Sequence, residues 1–247
     1  MSVSRTDEVA RLQVSADNYR VRSTPDEAVV RLDRWWIEAY VEGPVILELG
    51  CADGVATEML LQQAGSLDVV DGSPTYCAIV RDRIKDSRLN ITNCLYEEFE
   101  PSRRYDDIVI ARSLEMVADP VVVLARIRTW LATGGRLHIV VQNAGSVHRR
   151  IGVALGMLPR LDAISEANAV IGNRRIHTRE MLHQHVREAG FEAQFVKGYF
   201  LKPFDLATMS HACADLVNEL IPALYEVGTS VPDDLCCFFY ALCVPIE

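Results

Sequence analysis

The sequence predicts an α/β protein. It is a doubly wound sheet of seven strands, mostly parallel, with an antiparallel last strand, helices on both faces and helical lid insertions. Two observations carry this prediction. Short apolar runs bounded by turn residues recur through the middle of the chain, and a helical stretch follows nearly every one. The joints between them are short, which implies right-handed crossovers and a sheet covered on both faces.

The elements follow in chain order. Residues 5–41 read as helix in two or three pieces. Thr24-Pro25-Asp26-Glu27 supplies a helix start, with a Thr cap, a proline in the first turn and two acids. Val45-Ile46-Leu47-Glu48-Leu49 follows Gly43-Pro44 and reads as a buried strand. A helix is expected over 55–63, a strand over 67–71 and a helix over 74–86. Further strands are expected at 90–95 and 105–111, then a helix near 120–131. Gly134-Gly135 is read as the end of that helix, and 136–141 as the fifth strand. Beyond it the rhythm breaks, and 143–176 reads as an insertion over the C-terminal edge of the sheet. Thr178 caps a helix that stops at Gly190. A strand near 192–201, a helical stretch over 205–227 and a last strand over 236–244 complete the chain. The last strand is expected to pair antiparallel with the strand before it. The organisation is thus a single domain: an N-terminal helical cap (1–42), a core (43–142), a lid (143–176) and a substrate-side part (177–247).

Composition narrows the function classes. The chain has 247 residues, 49% of them apolar, enough to bury a sizeable core. Net charge is −9, so a nucleic acid is not the expected partner. No apolar run approaches the roughly 20 residues needed to span a bilayer, and no secretory signal is read at 1–10. The seven cysteines are odd in number and lack a Cys-x-x-Cys, so neither disulfides nor a metal site is expected. A reducing cytoplasm fits the cysteine usage. The apolar 205–227 segment suits either a homodimer contact or a cover over the sheet.

The informative segment is Glu48-Leu49-Gly50-Cys51-Ala52-Asp53-Gly54, at a strand-to-helix turn where a parallel sheet offers its ligand crevice. A dinucleotide Gly-x-Gly-x-x-Gly counted from Gly50 fails twice, at Ala52 and Val55. The segment instead resembles motif I of the class I S-adenosylmethionine-dependent methyltransferases, an acid followed by three glycines at alternate positions. Glu48, Gly50 and Gly54 match, and Ala52 departs; its methyl group is accommodated where φ stays negative. Three later pieces are similar to the same family, the last of them to its small-molecule branch. Asp71, with Gly72 and Ser73, falls where the family's acid takes the ribose hydroxyls. Leu95-Tyr96 falls in the loop that holds the adenine. Ala111-Arg112-Ser113-Leu114-Glu115-Met116 follows the fourth strand, where that branch commonly reads Leu-Glu-His; the histidine is replaced by Met116. The Asn-Pro-Pro-Tyr type of motif used on nucleobase amines is absent.

The resemblance covers 45–141 and continues through 174–191. It implies a Rossmann-like fold, S-adenosylmethionine as cofactor with S-adenosylhomocysteine as product, and methyl transfer to a hydroxyl or amine of a small-molecule metabolite. It implies cofactor contacts from Glu48, Gly50, Cys51, Ala52, Gly54, Asp71, Gly72, Ser73, Leu95, Tyr96, Ala111, Arg112 and Ser113. Tyr19 is a candidate to close the pocket. His148, just past the fifth strand, is the candidate general base. Arg149, Arg150, Arg174 and Arg175 are candidates for an acidic group on the acceptor, or else a solvated face. His183 and His185 lie two apart on one helix and make a poor metal pair; His138, inside a strand, reads as structural. A cofactor-binding partner without transfer activity and a nucleotide-dependent oxidoreductase are the two alternatives.

Overall fold

In the computed structural model, residues 5–213 and 216–246 are described. Three helices open the chain: α1 (Arg5–Asn18), α2 (Pro25–Arg31) and α3 (Arg34–Tyr40). The alternating core follows as β1 (Val45–Leu49), α4 (Val55–Gln63), β2 (Ser66–Asp71), α5 (Pro74–Arg83), β3 (Leu89–Asn93), β4 (Tyr105–Ala111), α6 (Pro120–Trp130) and β5 (Leu131–Gln142). The insertion carries α7 (Val147–Ala154) and α8 (Glu166–Val170). The chain ends in α9 (Arg179–Glu188), β6 (Phe191–Tyr199), α10 (Leu206–Ala212), α11 (Val217–Gly228) and β7 (Phe238–Pro245). Of the helical stretch expected at 205–227, residues 214 and 215 lie outside the described residues, as do residues 1–4 of the N-terminal segment.

The seven strands form one sheet in the order β3-β2-β1-β4-β5-β7-β6. Strands β1 to β5 run parallel to one another. Strand β7 inserts between β5 and β6 and is antiparallel to both. The fold class therefore stands as expected, with one addition: the last strand pairs on two sides.

Both faces are dry, as a parallel sheet requires. Ile46, Val69, Val109 and Tyr240 pack under the α2–α3–α4 layer with Trp36 and Leu60. Leu47, Ile108, Ile110, Ile139 and Phe191 pack on the opposite face with Leu124, Ile127 and Leu182. Inside the first layer His138 bridges Asp107 (2.8 Å) and the Tyr240 hydroxyl (2.9 Å), a structural role.

Two local expectations are corrected. Thr24 does precede α2, but its hydroxyl donates back to the Val21 carbonyl at 2.6 Å and caps nothing. Gly134-Gly135 does not end α6, which stops at Trp130; β5 begins at once and runs through both glycines. The cause is a bulge: Leu131 pairs with Tyr105, the register then shifts, and Gly134 takes φ +77 to absorb the extra residues. Thr178 behaves as read, accepting from the Met181 N–H at 3.1 Å.

Candidate functional site

The order of the strands reverses between β1 and β4, and a crevice opens at their C-terminal ends, the ligand position of open α/β sheets. It holds a cavity of about 160 Å3. The turn from β1 to α4 forms one wall. Gly50, Ala52 and Gly54 all have positive φ, at +88, +43 and +83, so the loop is a run of alternate left-handed residues. Gly50 is required for a second reason. A Cβ there would sit 2.7 Å from the Tyr96 hydroxyl and 2.9 Å from the Ser113 side chain. Ala52 corrects the sequence reading, since its φ is not negative. Its methyl group is held in a region that L residues occupy at a cost.

Asp71 ends β2 and faces the turn. Its carboxylate accepts from the Cys51 N–H at 3.0 Å and the Ser73 N–H at 2.7 Å. Burial raises its pKa against the pull of these two bonds. Ser73 caps α5 through Tyr76 N–H, and the Tyr76 hydroxyl donates to the Tyr19 carbonyl at 3.0 Å. Tyr19 thereby lines the cavity from the segment between α1 and α2, with its hydroxyl pushed up by burial. Leu95 and Tyr96 enter from the loop after β3. Ser113 donates to the Leu49 carbonyl at 2.8 Å, tying the end of β4 to β1.

The structure thus gathers Tyr19, Gly50, Cys51, Ala52, Asp71, Gly72, Ser73, Leu95, Tyr96, Ala111, Arg112 and Ser113 around one cavity. Glu48 and Gly54 are not on its wall. Glu48 lies beneath the turn, 2% exposed, accepting from the Thr57 hydroxyl at 2.6 Å. Burial pushes its carboxyl up to about 8, so it is largely protonated near neutral pH. Gly54 starts α4 and faces Arg83 and Val80 instead.

Arg112 does more than line the cavity. Its guanidinium makes two hydrogen bonds to Asp33, at 2.6 and 2.7 Å, and one to the Tyr199 hydroxyl at 3.1 Å. The Tyr199 hydroxyl also donates to Asp33 at 2.7 Å. Burial would lower the Arg112 pKa, but Asp33 and Tyr199 outweigh it and raise it.

His148 is the candidate general base. It sits in the first turn of α7, away from the cavity wall, with Nδ1 at 3.1 Å from the Ser146 hydroxyl. Burial, with Lys202 and Arg149 nearby, pushes its pKa down to about 2. A ring so weakly basic is a poor general base near neutrality.

The four arginines read as candidates for an acidic group on the acceptor, or else as a solvated face, are occupied by groups of the chain itself. Arg149 donates to the carbonyls of Leu161 and Ala163, and Arg150 to that of Gly145. Arg175 donates to the carbonyls of Leu114, Val117 and Ala118. Arg174 takes the Met116 carbonyl and Glu8. Glu8 in turn holds Arg11, whose guanidinium reaches the carbonyls of Met116 and Gly172. Ser15 donates to the Ile171 carbonyl at 2.9 Å. Helix α1 is therefore fastened across the cavity mouth to the lid.

Among residues that sequence reasoning passed over, Asp53 and Glu115 stand out. Both are almost fully buried, and each has one carboxylate oxygen without a hydrogen-bond partner. Glu115 accepts from the Gln142 N–H at 2.7 Å, joining the loop after β4 to the end of β5. Their positions inside recognised motifs were legible, but their partners are far along the chain. Among the described residues no group of three or more His, Cys, Asp or Glu could hold a metal ion, and all the described cysteines are free. No helix among the described residues is long and apolar enough to cross a membrane.

Known proteins resemble this chain in sequence and in fold. Residues 27–194 match the pattern of a methyltransferase domain. Nodulation protein S of Bradyrhizobium diazoefficiens is 38% identical over 85 residues, which span 33% of this chain and 40% of that protein. The crystal structure of the N-methyltransferase NodS from Bradyrhizobium japonicum WM9, in complex with S-adenosylhomocysteine, superposes with a TM-score of 0.58 at 14% identity, covering 99% of this chain and 100% of that one. The 1,6-didemethyltoxoflavin-N1-methyltransferase of Burkholderia thailandensis superposes with a TM-score of 0.64 at 17% identity, covering 100% of this chain and 92% of that one. The match to the methyltransferase domain extends from α2 through the whole alternating core into β6, so the chain belongs to the methyltransferase family.

Proposed function

We propose that the chain transfers a methyl group from S-adenosylmethionine to a nucleophilic nitrogen of a small organic molecule. The observation that carries the cofactor is the pairing of the left-handed turn at Gly50–Gly54 with the Asp71 carboxylate across the crevice. A buried acid with acceptor capacity left beyond its two backbone bonds suits a ribose diol. Gly50 suits a ligand that must approach the backbone, because any side chain there would close the gap. Leu95 and Tyr96 offer apolar surface for a purine ring. These residues fit the cofactor, and they are the ones that would hold it, with Tyr19, Cys51, Ala52, Gly72, Ser73, Ala111, Arg112 and Ser113 beside them.

The bound cofactor supplies a methyl group already activated on a sulfonium, so the protein's task is alignment and exclusion of water. Nitrogen is favoured over oxygen by the state of the wall's acids. Asp53 gives one carboxylate oxygen to the segment between α1 and α2 and keeps the other buried, Asp71 is assigned to the ribose diol, and Glu8 holds two arginines, while Glu97 is exposed. A hydroxyl needs a base to take its proton, whereas a neutral amine presents its lone pair directly. The names of the two N-methyltransferases among the structural neighbours point the same way.

Calorimetric titration with S-adenosylhomocysteine, followed by an acceptor screen read by mass gain of one methyl, tests the reading. Micromolar binding and a methylated amine support it. Failure to bind overturns the cofactor assignment. Binding without turnover on any amine or hydroxyl would return the non-catalytic alternative.

A further inference from the structure

Gln142 ends β5 and Asn173 follows α8, so they meet the cavity from the sheet and from the lid. The strand order puts β5 beyond β4, on the opposite side of the crevice from β1 and β2. Asn168 of α8 joins the two residues in a relay of amides. The Asn173 Nδ2 group donates to Asn168 Oδ1 at 3.5 Å, and Asn168 Nδ2 donates to Gln142 Oε1 at 3.3 Å. The backbone N–H of Asn168 is itself held by the Ser165 hydroxyl at 3.3 Å. Half of each end amide is left over. Among the described residues no hydrogen bond reaches the Gln142 amino group or the Asn173 side-chain oxygen. Turning all three amides over reverses the relay but not its result: one end still offers a donor and the other an acceptor. The charges nearby are occupied, since Glu8 and Arg11 hold each other and Glu8 also holds Arg174. Met116, Val117 and Ile171 add apolar surface to the same cavity.

Resting on the transfer reading above, we propose that the methyl acceptor is an uncharged nitrogen heterocycle with an amide-type edge, a ring N–H beside a ring carbonyl, read by Gln142 and Asn173. Such a molecule joins a flat apolar body to one donor and one acceptor, the pair that the relay leaves open. A ligand without the edge strands both amide groups away from water, which is costly. A charged ligand finds no counter-charge at this end of the cavity. The edge is held, and the nitrogen that takes the methyl group is a second ring nitrogen with a free lone pair. That pair forms the new N–C bond while the C–S pair returns to sulfur. The positive charge passes to the heterocycle, so no base is required.

Four probes test this by calorimetric titration, with and without S-adenosylhomocysteine. Quinazolin-4-one carries the edge and a second ring nitrogen. Quinazoline has the same bicyclic body without the edge, and benzylamine and benzoate carry a charge instead. Quinazolin-4-one is expected to bind about tenfold tighter than quinazoline, the worth of one to two net hydrogen bonds, with the charged probes weaker still. Parity of the two bicyclic probes, tighter binding of either charged one, or no binding of quinazolin-4-one up to its solubility overturns the proposal. In Gln142→Leu and in Asn173→Leu the preference is expected to vanish, while quinazoline and S-adenosylhomocysteine bind as before. Equal weakening of every ligand in both variants marks a structural role and also overturns it. Should neither variant fold, the preference of the unmodified protein decides. If that preference is seen but S-adenosylhomocysteine does not bind, the cofactor reading fails and the amide edge stands; if both are missing, both fall.

Discussion

Asp33 at the start of α3 holds a buried ion pair on which the cap and the sheet both depend, and removing it gives a sharp test. Asp33 is fully buried, and the Arg112 side chain is 17% exposed. The Asp33→Ala protein loses two short bonds from Arg112 and one from the Tyr199 hydroxyl. It also leaves a guanidinium uncompensated over the Phe238 ring, 4.7 Å from its centroid. Breaking a buried pair from one side costs about 3–5 kcal/mol. The small exposure of Arg112 lets water reach part of the group, so the lower half of that range, about 3–4 kcal/mol, is expected. For a chain of this size that corresponds to a fall in Tm of roughly 6–16 °C. Urea unfolding followed by far-UV circular dichroism measures it directly. Asp33→Asn should cost less, because the amide oxygen keeps the Tyr199 bond. A second comparison isolates the charge: Asp33→Leu combined with Arg112→Met should recover most of the loss, since no unpaired charge remains. A cost for Asp33→Ala below about 1 kcal/mol would refute the argument, because it would mean the pair is as weak as an exposed one.

Other outcomes follow from the turn and its surroundings. Glu48 keeps its proton up to about 8 in the folded chain against 4.5 as its reference, so the folded state holds the extra proton and stability falls as pH rises between those values. Glu48→Gln, which keeps an acceptor for Thr57 but does not titrate, should show a flatter stability profile between about pH 5 and about pH 8 by urea midpoint; an unchanged slope would place the titration elsewhere. Ala52→Gly relieves a left-handed alanine worth about 1–2 kcal/mol and adds about 0.4–1 kcal/mol of unfolded-state entropy, so Tm should hold or rise slightly, and a clear drop would count against strain at this position. His148→Ala should keep turnover within about twofold once an acceptor is in hand; a loss of about a hundredfold or more would restore a catalytic proton transfer. His177 is buried, neutral and lacks partners on both ring nitrogens, and burial pushes it down to about 3. The unfolded chain therefore binds the extra proton below about 6.5, and stability should fall with acid through that window; His177→Leu should remove part of the decline.

The alternating core was legible because each strand is short, apolar and fenced by turn residues. Tyr105–Ala111 and Val45–Leu49 were bounded by their own sequence, and both form as read. Strand β5 was misjudged at its start because a bulge depends on pairing with Tyr105, a partner 26 positions earlier (131 minus 105) that no local pattern announces. The turn at Gly50–Gly54 was legible as a motif, yet the positive φ of Ala52 was not. Alanine reads as a tolerated substitute, and only the folded backbone shows what it must adopt. The partners of the arginines were not legible for one physical reason. Guanidinium groups in a lid are as well suited to bare carbonyls as to a ligand's acid, and the helix ends and loops around the cavity supply many such carbonyls. Asp53 and the Asp33–Arg112 pair went unread because their partners lie 31 to 79 residues away.

The fastening of α1 over the cavity differs in kind from the fastening of the sheet. The sheet is held by apolar side chains that salt scarcely weakens. Glu8 instead grips Arg11 on its own helix and Arg174 on the lid, and all three side chains keep contact with solvent at 14%, 25% and 28% exposure. Attractions of that sort are screened as ionic strength rises. Helix α1 is therefore joined to the lid partly by ion pairs that salt weakens and partly by hydrogen bonds to the carbonyls of Met116, Ile171 and Gly172, on a sheet whose apolar packing salt scarcely touches.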